Sequence, residues 1–402
     1  MRNRVAAILA TGAILALAPS AAFAAAPAGA LTWQVASVQA SAGQESAAIH
    51  GIACASSTTC AAVGNITTQQ GFQQGAALVT DDAGSSWAPA SAGAAQSGFQ
   101  GVNYFGADCA ALNCVAVGTV GYNNNAIATS TNGGTSWTPL ASVPQPSSVQ
   151  NNLAAVSCAT YADCVAVGSD IGTTGAIGHF QILVSTSGGA TWVPVKGLPQ
   201  PSADNLLTGV SCVGTDCVAV GYDQSPSGQV NNAILVSSNS GQNWSLSANV
   251  PQPSGSSQWL SGVSCISGAQ CVAVGYETNN AGYNLNQVLV SNNGGQNWTL
   301  ASNVPQPGIS TNGDTLNAVT CNAVECVAVG QYTSAAWVPE NQILVSTNEG
   351  NTWTLEAAPN PGGPFSSQQL TAVACASPTA CMALGTVSGM NGGAVEALYG
   401  IS

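Results

Sequence analysis

Apolar residues fall in short runs along the chain, and each run stops at a turn residue. Leu207 to Cys212 is one such run, closing on a cysteine. Cys217-Val-Ala-Val-Gly221 comes next, then a polar stretch, then Ala233-Ile-Leu-Val-Ser237. A polar, Gly-containing turn leads to Trp244-Ser-Leu-Ser, and Val250-Pro-Gln-Pro253 closes the unit. Runs of Val, Ile and Leu separated by turn residues predict four strands, here a to d. Proline donates nothing to a ladder, so the Pro-Gln-Pro segment ends the sheet. The runs are nearly continuous rather than alternating, which suits sheets covered on both faces, as when sheets stack around an axis.

This order recurs. The 14 cysteines form seven close pairs: Cys54 with Cys60, Cys109 with Cys114, Cys158 with Cys164, Cys212 with Cys217, Cys265 with Cys271, Cys321 with Cys326 and Cys375 with Cys381. Their first members lie 49 to 56 residues apart, a period that fits a four-stranded propeller blade. The sequence therefore predicts an all-β fold, a seven-bladed β-propeller of four-stranded blades, as a single domain over 25–402. The last repeat, Leu370 to Ser402, supplies strands a, b and c but no Trp-bearing strand d. Leu31-Thr-Trp33-Gln-Val-Ala-Ser, near the other end, matches Trp298-Thr-Leu-Ala-Ser. The N-terminal strand is thus expected to complete the last blade and close the ring, leaving no open edge.

Each cysteine pair brackets the hairpin between strands a and b. An even count at regular spacing reads as a disulfide framework in an exported chain. Zinc is the rival reading, but each pair lacks the two further ligands a structural site needs. The only histidines are His50 and His179. No metal and no cofactor is expected.

Composition adds the compartment. Arg2 and Arg4 precede an apolar run from Val5 to Leu17, and Ala22-Phe23-Ala24 offers small residues for cleavage. Residues 1–24 are therefore expected to be a signal peptide, with a retained anchor as the alternative. The run is too short to span a bilayer, and no cysteine nearby suggests a lipid anchor. A secreted, extracellular or cell-surface location follows, with no membrane insertion after cleavage. Net charge is −13, and beyond the signal only Lys196 is cationic. Such a chain cannot neutralise phosphates, so nucleic acid is excluded as a partner, and an anionic membrane repels it. Hydrophobic residues make up 46%, enough for a large core, while charged residues are only 5%. Asn, Gln, Ser and Thr carry the polarity. This composition suits an acidic habitat, where carboxylates protonate; drift in a neutral one explains it equally.

Six repeats carry a related octet between strands c and d. Examples are Thr80-Asp-Asp-Ala-Gly-Ser-Ser-Trp87, Ser130-Thr-Asn-Gly-Gly-Thr-Ser-Trp137 and Ser291-Asn-Asn-Gly-Gly-Gln-Asn-Trp298. Trp192, Trp244 and Trp353 end the others. The octets resemble the Asp-box, or bacterial neuraminidase repeat, S-x-D-x-G-x-x-W. That family includes sialidases, sortilin-type receptors and photosystem-assembly-factor propellers. Asp82 alone keeps the aspartate; Asn132, Ser187, Asn239, Asn293 and Asn348 replace it, and all still accept hydrogen bonds. The third residue should stabilise the turn, the Gly should permit its backbone angle, and the Trp should pack between sheets while its N–H finds a partner. In the family the box is a structural turn, so it implies fold and not activity.

The resemblance implies a sialidase only if three arginines hold the substrate carboxylate, and residues 25–402 contain none. A different glycosidase needs two flanking carboxylates. Asp170, Asp204, Asp223, Glu277, Asp314 and Glu340 are expected on one face, in the b–c loops and d–a connections. Solvated surface is the plainer reading of these acids. Asp163, Asp216 and Glu325, in the a–b hairpins, are expected exposed on the opposite face. No Ser-His-Asp set and no spare thiol appears, so no catalytic residue is assigned. The loops also carry Tyr122, Tyr222, Trp259, Tyr276, Tyr283, Tyr332 and Trp337 among amides. Aromatic faces beside amides suit sugars and protein contacts alike; packing against the ring is the alternative. Three sequons, at Asn65, Asn243 and Asn297, match the N-glycosylation pattern, the last two by overlap with the octet. The expectation is a monomeric, non-catalytic binding or scaffold protein for a surface polysaccharide or an extracellular protein. A glycoside hydrolase or lyase, or a structural component of a cell surface layer, are the alternatives.

Overall fold

The first repeat folds as Gln44–Cys54, Cys60–Thr68, Gln73–Thr80 and Ser86–Pro89, four antiparallel strands in the order a-b-c-d. This computed structural model describes residues 31–401 except positions 42–43, 91–100, 122, 173–177, 203, 253–254, 256, 309–312, 363–365 and 390–391. The expected signal segment lies outside them, as does Tyr122. Every described element is a strand. No described helix is long and apolar enough to cross a bilayer.

The other repeats follow the same order, with inner strands Val102–Ala110, Gln150–Cys158, Asp204–Val213, Ser257–Cys265, Asp314–Cys321 and Ser367–Ser377. One parallel pairing, Val230 with Ser257, merges the fourth and fifth repeats into a single sheet. Thr32–Val35 pairs antiparallel with the final strand, Gly392–Ile401, so the first described strand joins the last sheet. Tyr399 donates its hydroxyl to Gln34 Oε1 at 2.9 Å across that pairing.

Strands b and c run further than the apolar pattern marks. In the fourth repeat they span Asp216–Gln224 and Val230–Ser237, because a tight turn lets the ladder continue through polar residues. Strand d is correspondingly short, Ser245–Leu246, and Trp244 precedes it.

All 14 cysteines are bridged, in the seven expected pairs. Cys54 is joined to Cys60, Cys109 to Cys114, Cys158 to Cys164 and Cys212 to Cys217. Cys265 is joined to Cys271, Cys321 to Cys326 and Cys375 to Cys381. Each pair occupies directly opposed positions on strands a and b, as with Cys109 and Cys114 or Cys321 and Cys326. That placement makes every bridge a local clasp on one hairpin. Seven bridges in one chain suit an oxidising extracellular environment.

Every strand a carries a β-bulge at the same place, between Ile49 and Gly51, Leu207 and Gly209, Leu260 and Gly262, and their equivalents. A bulge inserts one unpaired residue and re-aims its side chain. The Gly of each Val-Ala-Val-Gly faces it. A Cβ on Gly221 or Gly275 would lie 1.9 Å from the Leu206 or Trp259 carbonyl oxygen. The residue after the bulge is Gly or Ala because neighbouring inner strands touch there. A Cβ on Gly106 would stand 2.8 Å from Ala155 Cα.

Seven apolar clusters hold the sheets together, each between two consecutive repeats. One of them joins Ile49, Leu78 and Trp87 of the first repeat to Leu384 and Ala397 of the last. The octets seal these interfaces. The hydroxyl at position one accepts the position-five amide, as in Ser291 with Gly295 N at 2.9 Å. The position-three side chain accepts the position-seven amide, as in Asn293 with Asn297 N at 3.0 Å. Asp82, Asn132, Ser187, Asn239 and Asn348 do the same. The position-five glycines have φ between 78° and 91°. Trp192, Trp244, Trp298 and Trp353 donate Nε1–H to their own octet's Gly carbonyl; Trp33, Trp87 and Trp137 leave theirs unpartnered.

The Pro-Gln-Pro segment does more than end the sheet. Gln252 accepts from Asn232 N at 2.9 Å and donates to Asn232 O at 2.9 Å, while Asn232 Nδ2 donates to Pro251 O. Gln145 and Gln306 clasp Asn125 and Asn286 in the same way, and Gln200 clasps Phe180.

Candidate functional site

The bulge residues meet. A cavity of about 190 Å³ is lined by all seven inner strands, with His50, Phe105, Thr208, Ser261, Asn317 and Thr371 among its walls. Several of these side chains bond across to the next repeat. Thr208 donates to Leu260 O at 2.6 Å, Asn317 to Leu370 O at 2.8 Å and Thr371 to Ile49 O at 2.5 Å. His50 and Phe105 pack with ring centroids 5.5 Å apart. Burial lowers the affinity of His50 for a proton, partly offset by its hydrogen bond with Asn65. The sequence reading missed this set. Its trace was legible as a polar or small residue interrupting the apolar run before Gly or Ala in every strand a except the second, where Phe105 stands there.

Beside this cavity lies a recess of about 260 Å³, walled by Phe105, Asn152, Thr208, Trp259 and Ser261 among others. It is smaller than the roughly 300–1,000 Å³ of drug-sized sites, so it suits a single ring. Trp259 is the centre of an aromatic ladder. Its ring centroid is 4.2 Å from that of Tyr222 and 6.3 Å from that of Tyr276, parallel to the latter within 9°. Tyr222 and Tyr276 occupy matching places on strands b of the fourth and fifth repeats, and Trp259 stands opposite Tyr276. Three side chains far apart in sequence are thus stacked by register. Burial raises the phenol pKa values of Tyr222 and Tyr276, with the Asp204 charge adding at Tyr222. Both phenols stay protonated and can donate. Asn152 Oδ1, on the wall of the recess, is buried and unpartnered.

The remaining predicted aromatics are elsewhere. Tyr332 donates to Glu340 at 2.7 Å, and burial together with that hydrogen bond pushes its pKa up to about 12. Tyr283 and Trp337 sit in the b–c turns of the fifth and sixth repeats, 39% and 71% exposed. Tyr222, Trp259, Tyr276 and Tyr332 belong to strands, not to loops.

The six acids assigned to loops also lie on strands, for the same reason that the ladders run long. Five of them have a partner, whereas Glu277 Oε2 is buried without one. Asp170 pairs with His179 Nδ1 at 3.6 Å. Asp204 accepts from Gly178 N, and Asp223 from Ser202 Oγ. Burial raises Glu277. Asp314 is wholly buried, accepts from Gly308 N, and burial pushes its pKa up to about 6. Among the a–b hairpin acids, Asp163 and Asp216 are half-buried, and Glu325 is only 7% exposed. The expectation of exposure is corrected: Glu325 is tucked beside the Cys375–Cys381 bridge, and burial and the Glu356 charge raise its pKa. Both sulfurs there are in a disulfide, so no thiolate completes a metal site.

Glu396 was not singled out by the sequence. It is 2% exposed, burial pushes its pKa up to about 7, and Asn341 donates to it.

No protein-family model and no curated protein matches the chain. Solved structures do. A YCF48 protein bound to a D1 peptide superposes with a TM-score of 0.54 at 14% identity, over 92% of this chain and 97% of that one. YCF48 from Cyanidioschyzon merolae gives 0.51 at 13%, over 92% and 98%. A microbial sialidase, Hz136, reaches only 0.45 at 13%, over 72% and 63%. At these identities the likeness to YCF48 shows a shared propeller-like all-β fold and nothing about activity.

Proposed function

We propose that the chain is a secreted, non-catalytic binding propeller that recognises a polysaccharide through the face carrying its b–c turns. The fold on this reading is a closed ring of seven Asp-box blades over 25–402. Clusters between every consecutive pair of repeats, and the strand shared by the two chain ends, support it. The signal-like residues 1–24 and the seven bridges support export.

The observation that carries the function is the Tyr222–Trp259–Tyr276 ladder beside the recess. Flat aromatic faces stack on the C–H faces of sugars, while Asn152 and the tyrosine hydroxyls offer uncharged hydrogen bonds. The neighbour of similar fold that holds a peptide supports a binding role for such a scaffold. One observation favours the hydrolase reading: Asp314 has the raised pKa of a general acid. Its complete burial weighs against contact with a substrate.

Purified protein screened against polysaccharides, scoring both retention and released sugar, tests the reading. Retention is expected without product, and Trp259→Ala should weaken it at least tenfold. Sugar release that disappears on Asp314→Asn or Glu340→Gln overturns it in favour of the enzyme.

A further inference from the structure

Four repeats close their b–c connection with the same turn. Thr68 N, Ser225 N, Asn279 N and Ser334 N each bond the carbonyl four residues on, at Phe72, Gln229, Tyr283 and Val338. In each, the fourth residue bonds back to the carbonyl of the first. That fourth residue is left-handed in all of them, and in three it is glycine: Gly71 at φ 79°, Gly228 at 88° and Gly282 at 83°. In the sixth repeat it is Trp337, at 61°. A bulky side chain is disfavoured in this conformation, and the sister turns show that the chain has glycine at its disposal. Burial does not offset the strain, since Trp337 is 71% exposed. Such strain clusters at ligand-contacting positions, and among the described residues Trp337 is the bulkiest of six non-glycine residues with positive φ, the others being Ala83, Ala111, Ser240, Asn303 and Glu349. Two sister turns also present an aromatic next to the glycine, Phe72 at 64% and Tyr283 at 39% exposure.

We propose that Trp337 is an outer stacking platform for an uncharged polysaccharide chain, an inference that rests on the binding function above and extends its site. The ligand is then a polymer, engaging the ladder at the recess and the turn tips of neighbouring repeats on the same face. Neutrality follows from the surroundings. The Trp337 turn is Ser334-Ala-Ala-Trp-Val338, and the chain has no arginine beyond residue 4 to pair an acidic polymer. An indole face among small uncharged residues complements a ligand that is uncharged and flat-faced.

Affinity electrophoresis of the full chain through gels containing laminarin, galactomannan, arabinoxylan or dextran tests this. Wild-type protein is expected to be retarded by at least one. Trp337→Gly should lose at least fivefold in affinity for that polymer while its Tm holds or rises, because glycine relieves the turn. Trp337→Phe should recover most of the binding. Equal retardation of Trp337→Gly and wild type overturns the platform and leaves the Trp259 site standing. A Trp337→Gly protein that melts lower assigns Trp337 to structure and also overturns it. A wild-type chain that ignores all four polymers, or binds only a protein partner, removes both readings.

Discussion

At the scale of single residues, the repeat is written in glycines whose reasons differ. The octet glycines supply a positive φ. The Val-Ala-Val-Gly glycines supply space, because the carbonyl just before their strand-a partner, as of Leu206 or Trp259, lies against them. Gly275→Ala should destabilise the fold by roughly 3 kcal/mol, the upper range for forcing atoms into a packed site. Gly393→Ala, with no atom within 4 Å of the new Cβ, should change urea unfolding little. Equal midpoints for the two variants would contradict the bulge argument. The space-supplying role was hidden from the sequence, which shows the glycine but not the carbonyl it faces. The octet role was legible, because Ser, Asn and Gly at fixed offsets carry their hydrogen-bonding logic with them.

At the scale of elements, hydrophobic runs located the strands, and cysteine spacing located the hairpins. They did not locate strand ends, since Tyr222, Tyr276 and Tyr332 extend the ladders without looking apolar in pattern. The aromatic ladder was therefore half-legible: its residues stood out by type, but were read as loops, and their stacking depends on cross-strand register. Tyr283 and Trp337 were chosen for the same composition and stand apart from it. The Pro-Gln-Pro clasp shows the converse. The prolines read as a stop, whereas Gln252 holds both backbone groups of Asn232. Gln252→Ala removes two hydrogen bonds worth about 1 kcal/mol each. Amide exchange at Asn232 should quicken by one to two orders of magnitude while Asn286, clasped by Gln306, stays slow. Unchanged exchange at Asn232 would show the clasp to be idle.

At the scale of the whole molecule, buried acids set the response to pH. Asp314 and Glu396 occupy sites where other repeats place Asn205, Gln258 or Gln368, and Gln287 or Gln342, all buried amides. A neutral acid replaces an amide there with little penalty; a carboxylate does not. Their folded pKa values, about 6 and about 7, exceed the unfolded values near 4. The folded state therefore binds more protons between about pH 4 and 7. The stability they contribute is complete below the unfolded pKa and is lost as pH rises through the folded one. Asp108, raised to about 6 by burial against its hydrogen bonds, acts in the same direction. Tm should climb as pH falls from 7.5 to 4.5, and the Asp314→Asn/Glu396→Gln double variant should flatten most of that slope. A wild-type Tm that falls over this range would sink the account. The pairing of Thr32–Val35 with Gly392–Ile401 carries a mechanical consequence. Thr32 lies opposite Ile401, so the two strands of this seam stand side by side at one end of it. Force applied between them peels that ladder one hydrogen bond at a time, the geometry of least resistance. A tether through one strand alone leaves the seam unloaded.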